Sequence, residues 1–227
     1  MSRPSAEVRR LVLLRHGRTA WNAEGRLQGQ SDVALDEVGL AQARTAAPVV
    51  AGLGPSRVWS SDLARAATTA ARVGESTGLE VAHDVRLREL SFGDTEGLSR
   101  EDLRRVSPDG HAALVRADYD QVPGAEPTPQ VRARMTEVLH DLLDATGPGE
   151  TSVAVSHGAA LRIALGGLLG WPDDVFRSLG PLANCGWAVL ETRGTGAPLR
   201  LTAYNLVATA PVDALPDPGL ALPAPVG

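Results

Sequence analysis

The 227-residue sequence contains no lysine, a single cysteine and few aromatic residues, which make up 4% of the chain. The lone cysteine, Cys185, excludes an internal disulfide and a metal cluster built on cysteines, so we expect it to be a small buried residue. No apolar run approaches the length of a membrane span. Because lysine is missing, all 22 basic residues are arginines. The codon bias of a GC-rich genome is the simpler explanation for the use of arginine in place of lysine. Arginine is also the better phosphate ligand, because its planar guanidinium group can donate two parallel hydrogen bonds.

The charge balance argues against two classes of partner. The formal net charge is −5, and charged residues make up 22% of the chain. A protein that binds nucleic acid or a membrane surface through bulk positive charge has the opposite balance, so we expect neither partner. Residues 1–10 contain charges but no apolar stretch followed by a small-residue cleavage site, which predicts a cytoplasmic protein.

Short apolar segments alternate with helical patterns along the chain. Strands are predicted over residues 8–14, 58–60 and 151–155, with an extended segment within 81–90 and a closing hairpin from 187–190 and 199–204. Helices are predicted over residues 36–51, 61–73, 131–144 and 159–169. This alternation predicts an α/β three-layer sandwich, in which a mainly parallel central sheet carries helices on both faces.

The same pattern predicts the domain organisation. The 43% hydrophobic content is enough for one sizeable core, and we predict a single domain over residues 1–207. Within it, residues 93–129 are punctuated by Gly, Pro and Asp, which predicts short helices and loops that form a loop-rich cap insertion rather than core. Residues 208–227 are rich in Pro and Ala without periodicity, which predicts a flexible tail.

Two of the predicted helices begin near residues that favour helix N-termini. Asp36 or a residue just after it is expected to cap the first of them, which Gly52 and Gly54 end. Ser61 or Asp62 is expected to cap the next one, and for Asp62 this role is preferred over one in catalysis.

Two predicted strands end in the same way, with a histidine followed by glycine. The first strand ends in Arg15-His16-Gly17, and the second ends in Ser156-His157-Gly158. Because the ends of parallel strands meet at one edge of a sheet, His16 and His157 can meet there. The helix that opens after Gly158 directs backbone N–H groups and its positive end at this edge, which favours an anion. For the remaining histidines we expect structural roles: His83, His111 and His140.

Four segments occur in order along the chain: Arg-His-Gly-Arg-Thr-Ala-Trp-Asn at 15–22, Ser-Ser-Asp-Leu-Ala-Arg-Ala at 60–66, Leu-Arg-Glu-Leu-Ser-Phe-Gly at 87–93 and Ser-His-Gly at 156–158. Together they resemble the histidine phosphatase superfamily, also called the phosphoglycerate mutase-like family. The likeness extends over about residues 11–204. It implies a phosphoglycerate mutase-like fold and a phosphatase that acts on a small phosphorylated metabolite without a metal or a cofactor.

The resemblance implies a role for each residue that carries it. His16 would be the nucleophile that accepts the phosphoryl group as a phosphohistidine, with its tautomer set by a nearby carbonyl. Arg15, Arg65 and a charged His157 would lower the pKa of His16 and surround the phosphoryl oxygens. Asn22 would add a neutral donor to the same group.

The resemblance also implies that Glu89 would protonate the leaving alkoxide. Two other expectations rest on position in the chain. Gln28 and Gly29 lie on the loop after His16 and could meet the body of the substrate, and Gly158 lets the backbone approach the phosphate closely. Thr95 stands where many relatives have tryptophan, which puts the shape of the pocket wall in question.

Three further charged residues have weaker assignments. Arg18 and Arg26 are expected either to meet a carboxylate of the substrate or to lie in solvated loops. Glu126 follows a segment that resembles the Gly-Gly-Glu motif of the family, and we expect it to border the pocket.

Two late segments, residues 184–187 and 199–205, resemble the glucosyl-3-phosphoglycerate phosphatases of GC-rich bacteria. We therefore expect hydrolysis of that ester. The alternatives are a phosphoglycerate mutase and a non-catalytic phosphate-binding protein on the same fold. Mutases usually carry a longer insertion than residues 93–129, and the intact site residues disfavour a non-catalytic protein. For the oligomeric state, the sequence is compatible with a homodimer as well as with a monomer.

Overall fold

The structure, a computed structural model, describes residues 8–194 and 196–209. The predicted tail over 208–227 lies outside the described residues except for its first two, so it stays a prediction. None of the helices in the described ranges is long and apolar enough to cross a membrane.

A single mixed sheet forms the centre of the fold. The strands of the described residues are β1 (Val8–Arg15), β2 (Pro55–Ser60), β3 (Val81–His83), β4 (Thr151–Ser156), β5 (Trp187–Arg193) and β6 (Arg200–Leu206). Their order in the sheet is β3-β2-β4-β1-β5-β6. The first four of this order are parallel, while β5 runs antiparallel to β1 and β6 antiparallel to β5. The mainly parallel sheet and the closing hairpin are therefore confirmed.

Helices connect the parallel strands. The α-helices of the described residues are α1 (Ala20–Ala23), α2 (Glu37–Ala51), α3 (Ala64–Thr77), α4 (Arg100–Val106), α5 (Pro108–Val115), α6 (Thr128–Asp144), α7 (Gly158–Leu169) and α8 (Asp173–Arg177). Short 3₁₀ turns lie at Val85–Leu87, Gly93–Thr95 and Tyr119–Gln121. The predicted helix over 131–144 begins one turn earlier than expected.

Strand β1 shows why helices cover both faces of the sheet. Its side chains alternate between the two faces, and all of its central residues are apolar. Leu11 and Leu13 join one buried cluster with residues of α6 and α7, whereas Val12 and Leu14 join a second cluster with residues of α2 and α3. The three-layer arrangement is therefore confirmed.

The segment 93–129 contributes more to the core than predicted. Leu103, Ala113, Tyr119 and Val122 are all buried in the same cluster as β1. The expectation that this segment would stay out of the core was wrong, because its short helices α4 and α5 each bury residues on one side. Helices of seven and eight residues give too few turns for a clear 3.6-residue pattern in the sequence.

One of the two predicted helix caps is correct. The carboxylate of Asp36 accepts a hydrogen bond from Gly39 N at 2.7 Å and begins α2. Helix α3 begins at Ala64, and its N-cap residue Leu63 forms no side-chain cap. The prediction for Asp62 was wrong, since this residue forms an ion pair with Arg88 at 2.5 Å.

A carboxylate from a distant loop takes the position at the start of α3 instead. Asp32 accepts a hydrogen bond from Ala64 N at 2.7 Å. The contact satisfies one of the free N–H groups of the first turn and places a negative charge at the positive end of the helix. Because 32 residues separate the two partners, no local pattern in the sequence indicates the cap.

Close backbone packing ties the loop after β1 to the start of α2. A Cβ atom added at Gly39 would lie 1.9 Å from the carbonyl oxygen of Arg18. Overpacking typically costs about 1–3 kcal/mol, and the better helix propensity of alanine offsets about 1 kcal/mol. Because the obstructing atoms are backbone, we expect Gly39→Ala to lower the free energy of unfolding by about 2 kcal/mol net.

Urea denaturation measures this effect, with Gly180→Ala as the matched control. A Cβ atom added at Gly180 meets nothing within 4 Å, so its midpoint should stay near that of the unsubstituted protein. Equal midpoints for the two variants would contradict the close packing at Gly39.

Candidate active site

The ring of His16 stands at the C-terminal end of β1 and is only 2% exposed. Its Nδ1 lies 2.7 Å from the carbonyl oxygen of Gly17. A carbonyl can only accept, so Nδ1 carries the proton and Nε2 keeps its lone pair. The structure therefore presents the nucleophilic form of the imidazole and supplies the carbonyl acceptor expected from the sequence.

The second histidine lies beside the first. Strand β4 pairs in parallel with β1, with Arg15 opposite Ser156, so the residue after each strand end reaches the same edge. The ring centroids of His16 and His157 are 5.1 Å apart and the rings are inclined by 57°. The structure thus brings together two residues that are 141 positions apart (157 − 16) in the sequence.

His157 is neutral in this arrangement, which corrects the expectation of a charged ring. Its Nδ1 accepts a hydrogen bond from Nε of Arg65 at 3.2 Å, so this nitrogen carries no proton. The other nitrogen, Nε2, lies 2.9 Å from the hydroxyl of Ser61, which accepts its proton in a hydrogen bond.

Burial explains why both histidines are neutral. Burial, followed by the charges of Arg15 and Arg65, lowers the pKa of His16 well below its usual value. Burial, followed by the charge of Arg65, likewise lowers the pKa of His157 well below its usual value. The sequence correctly indicated the effect of the arginines, but burial is the larger cause because both rings are almost completely removed from solvent.

The guanidinium group of Arg65 is completely buried behind the loop that follows α1. Arg65 lies in the first turn of α3, as predicted. Its two terminal nitrogens donate to the carbonyl oxygens of Ser31 and Gly29, each at 2.7 Å. These contacts hold the fork rigid beside His157, as a preorganised anion site requires.

Arg15 keeps an unused donor at the same place. Its NH1 nitrogen donates to the carbonyl oxygen of Leu182 at 2.5 Å. Its Nε is buried and has no hydrogen-bond partner among the described residues. A buried charged donor without a partner is costly, so this group fits an anionic ligand.

The two amides predicted at the site are oriented by their neighbours. The Oδ1 of Asn22 accepts from Thr19 N at 3.1 Å and from the side chain of Asn184 at 3.2 Å. The Oε1 of Gln28 accepts from the hydroxyl of Thr19 at 3.0 Å. With both oxygens engaged, each side chain has its NH₂ group left as a donor to a ligand.

Gly29 occupies a position where a side chain would be strained and would displace the carboxylate of Glu96. Its φ is +52°, and a Cβ atom there would lie 2.0 Å from Oε1 of Glu96. Glu96 accepts hydrogen bonds from two loops, including those from Ser31 N at 2.8 Å and Phe92 N at 3.0 Å. Burial raises the pKa of Glu96, but hydrogen bonds, with that of Ser31 the largest, bring it below its usual value. Glu96 thus joins the loop around Arg65 to the loop after Glu89.

The N-terminus of α7 holds a carboxylate of the protein itself. Glu89 accepts from Ala160 N at 2.7 Å and from Leu90 N at 2.9 Å through Oε1, and from Ala159 N at 3.1 Å through Oε2. The sequence predicted a bound anion at this helix end, whereas the structure places the carboxyl group of Glu89 there. Because Oε2 accepts only one of the three hydrogen bonds, it has a lone pair left for a proton.

These residues surround one cavity of about 370 Å³. The predicted site residues that line it are Arg15, His16, Asn22, Gln28, Gly29, Arg65, Glu89 and Gly158. His157 is completely buried beside His16. Further lining residues come from the far wall and were missed from the sequence: Phe92, Arg100, Leu114, Val115, Tyr119, Arg162 and Pro181.

The three weaker assignments have different outcomes. Arg26 lines the cavity and also binds Glu24. Arg18 forms an ion pair with Asp36 at 2.8 Å and does not line the cavity, so it lies outside the pocket. Glu126 binds Arg134 rather than bordering the pocket, because its carboxylate faces α6.

Two other positions questioned from the sequence now have explanations. The hydroxyl of Thr95 donates to the carbonyl oxygen of Phe92 at 2.7 Å and stabilises the turn there, and Thr95 does not line the cavity. Cys185 is buried, as predicted, and burial raises the pKa of its thiol to about 12. Across 8–194 and 196–209, no cluster of three or more His, Cys, Asp or Glu side chains is arranged to hold a metal ion.

A sequence profile of the Histidine phosphatase superfamily (branch 1) matches residues 11–205. The chain belongs to this superfamily. The match includes every residue that lines the cavity and both histidines, so the likeness of the four sequence segments is confirmed.

Named relatives fall into two groups. Glucosyl-3-phosphoglycerate phosphatase of Mycolicibacterium vanbaalenii is 38% identical over 200 residues, which cover 84% of this chain and 88% of that protein. The enzyme of the same name from Mycobacterium tuberculosis is 38% identical over 192 residues, which cover 81% of this chain and 86% of that protein. A probable phosphoglycerate mutase GpmB of Yersinia pestis is 34% identical over 211 residues, which cover 86% of this chain and 97% of that protein.

Solved structures have the same fold. Mycobacterial glucosyl-3-phosphoglycerate phosphatase in complex with VO3 matches with a TM-score of 0.80 and 37% identity, and the match covers 87% of this chain and 98% of that one. Its complex with inorganic phosphate matches with a TM-score of 0.79 and 36% identity over 88% and 98%. A phosphoserine phosphatase mutant of Entamoeba histolytica matches with a TM-score of 0.73 and 28% identity, and the match covers 87% of this chain and 96% of that one.

The two neutral histidines predict a pH-dependent stability. Below about pH 6.5, the usual pKa of histidine, the unfolded chain binds protons at His16 and His157 while the folded protein does not. The unfolded state then holds more protons, so the free energy of unfolding falls as the pH falls. The expected slope is about 1.4 kcal/mol per pH unit for each histidine.

Urea titrations between about pH 7 and pH 5 measure this slope. His16→Gln should remove the contribution of one histidine, whereas His140→Gln at an exposed position of α6 is the matched control. The same slope in His16→Gln and in the unsubstituted protein would show that His16 takes up its proton in the folded state.

Proposed function

We propose that this protein is a phosphomonoesterase that hydrolyses glucosyl-3-phosphoglycerate through a phosphohistidine intermediate on His16. The observation that carries the proposal is the placement of a deprotonated Nε2 on His16 beside the fork of Arg65, the unpaired Nε of Arg15 and the ring of His157. Two guanidinium groups and a second imidazole around one nucleophile fit the oxygens of a tetrahedral phosphoryl group.

The first half of the reaction transfers the phosphoryl group to the protein. The Nε2 of His16 attacks phosphorus while the ester P–O bond breaks. Glu89 gives its proton to the leaving alkoxide, which departs as the alcohol. A bound dianion also favours the protonated form of His157, which can then donate to a phosphoryl oxygen.

The second half of the reaction releases phosphate. A water molecule attacks phosphorus, the P–N bond to His16 breaks, and Glu89 takes the proton of the water. Inorganic phosphate leaves, and both residues return to their initial states. Because the arginine and histidine donors already balance the charge of the phosphoryl group, the scheme uses no metal ion.

Three further arginines of the cavity support a substrate with additional polar groups. Arg26, Arg100 and Arg162 line the cavity, where their positive charges favour a carboxylate or a hydroxyl-rich group of the substrate. Glucosyl-3-phosphoglycerate has a glycerate carboxylate and a sugar, and the two mycobacterial-type relatives have that ester in their names. The volume of about 370 Å³ lies at the lower end of small-molecule pockets.

A panel of phosphate esters tests the substrate. We expect the highest kcat/KM for glucosyl-3-phosphoglycerate, ahead of 3-phosphoglycerate and phosphoserine, with phosphate release as the readout. A coupled assay for phosphoglycerate mutase runs in parallel, since relatives such as GpmB carry that name. Interconversion of phosphoglycerates without phosphate release would contradict the hydrolase.

The covalent intermediate is tested separately. His16→Ala should abolish both turnover and acid-labile labelling by a ³²P-labelled substrate, because the nitrogen that accepts the phosphoryl group is removed. His83→Ala, at an exposed position of β3, is the matched control and should keep both. Labelling of His16→Ala at the level of the control would contradict His16 as the acceptor.

A further inference from the structure

The chain segment that carries Glu89 satisfies its carbonyl groups in an unusual way. Beyond the 3₁₀ turn Val85–Leu87, the residues that lead to Glu89 are irregular. Four consecutive carbonyl oxygens, those of residues 86–89, accept hydrogen bonds from side chains. Ser156 donates to the second of them at 2.7 Å, and Gln30 donates to the fourth at 3.2 Å. The remaining donors all come from Arg134 on helix α6.

Every N–H group of Arg134 has a partner. Its NH1 nitrogen donates to the carbonyl oxygens of Arg86 at 2.8 Å and Arg88 at 2.6 Å, and NH2 donates to that of Glu89 at 3.0 Å. Nε and NH2 also bind the two carboxylate oxygens of Glu126 at 2.9 and 2.8 Å. A guanidinium has five N–H donors, so this one is saturated and fixed in a single orientation.

The carboxylate of Glu89 is held from the opposite side. Its oxygens accept from the first N–H groups of α7, at 3.1 Å from Ala159 and 2.7 Å from Ala160. Arg134 therefore fixes the backbone of Glu89 and α7 fixes its carboxylate. With both ends fixed, the proton-bearing oxygen has one position relative to His16 across the cavity.

We propose that Arg134 is a positioning residue for the proton donor. By binding three of the four carbonyl groups of residues 86–89, it sets the distance between the Glu89 carboxylate and the leaving oxygen of the substrate. The inference rests on the proposed function, because it requires an ester whose leaving group takes a proton. Arg134 itself does not line the cavity, so it acts through Glu89.

The dependence of the rate on the leaving group distinguishes positioning from a general structural role. An alkyl ester needs a proton from Glu89, whereas p-nitrophenyl phosphate has a leaving group that departs without one. The ratio of the two kcat/KM values, alkyl over aryl, is taken on one preparation. It is independent of the fraction of protein that is folded, so a variant that merely loses stability leaves it unchanged.

The experiment uses the alkyl ester hydrolysed fastest in the panel described above. For Arg134→Met we expect the ratio to fall by about 10- to 100-fold, and for Glu89→Gln by about 100-fold or more. Arg134→Lys keeps the charge but has only three donors without the fork geometry, so its ratio should lie between those of Arg134→Met and the unsubstituted protein. Arg132→Met is the matched control on the same helix, where Arg132 binds Asp173, and its ratio should be unchanged.

Each contrary outcome identifies what is wrong. A normal ratio in Arg134→Met together with a reduced ratio in Glu89→Gln would overturn the positioning role and leave the proposed function intact. A normal ratio in both variants would overturn the donor role of Glu89 and with it the positioning role. Failure of the unsubstituted protein to hydrolyse any ester of the panel would overturn the proposed function and this inference together.

Discussion

Parallel pairing between β1 and β4 is the constraint on which the site depends. The register that places Arg15 opposite Ser156 brings the next residue of each strand to the same edge, and the two imidazole rings lie 5.1 Å apart as a result. A slip of one residue would turn the alternating side chains of β1 to the wrong faces of the sheet. Because both faces are packed by helices, the hydrophobic core that stabilises the fold also sets the distance between His16 and His157.

The guanidinium groups of Arg15, Arg65 and Arg134 donate most of their hydrogen bonds to backbone carbonyl oxygens rather than to carboxylates. Arg65 binds two carbonyls, Arg15 binds one, and Arg134 binds three. A carbonyl dipole satisfies an N–H group without cancelling the full charge, so Arg15 and Arg65 remain electropositive toward an anion. Both of these arginines also lower the pKa of His16, although burial contributes more. Glu126 pairs with Arg134 alone, away from the cavity.

The sequence predicted what depends on local pattern and missed what depends on contacts between distant segments. The sheet, its layers and the edge that carries His16 and His157 follow from strand periodicity and from glycines after each strand. The cap of α3 by Asp32 and the carboxylate of Glu89 at the start of α7 join residues 32 and 70 positions apart, for which no periodicity exists. For the same reason Asp62 was misassigned, since its partner Arg88 lies on another element. The prediction of a charged His157 was also wrong, because the composition of the chain does not reveal that this ring is completely buried.

The cavity draws its two halves from different parts of the chain. Its reactive half comes from the ends of β1 and β4 and from the first turns of α3 and α7, whereas Arg100, Leu114, Val115 and Tyr119 all belong to residues 93–129. That segment has its own short helices and packs beside the central sheet without forming a strand of it. Substitutions within residues 93–129 can therefore change the shape of the cavity without altering the residues that make and break the bonds to phosphorus.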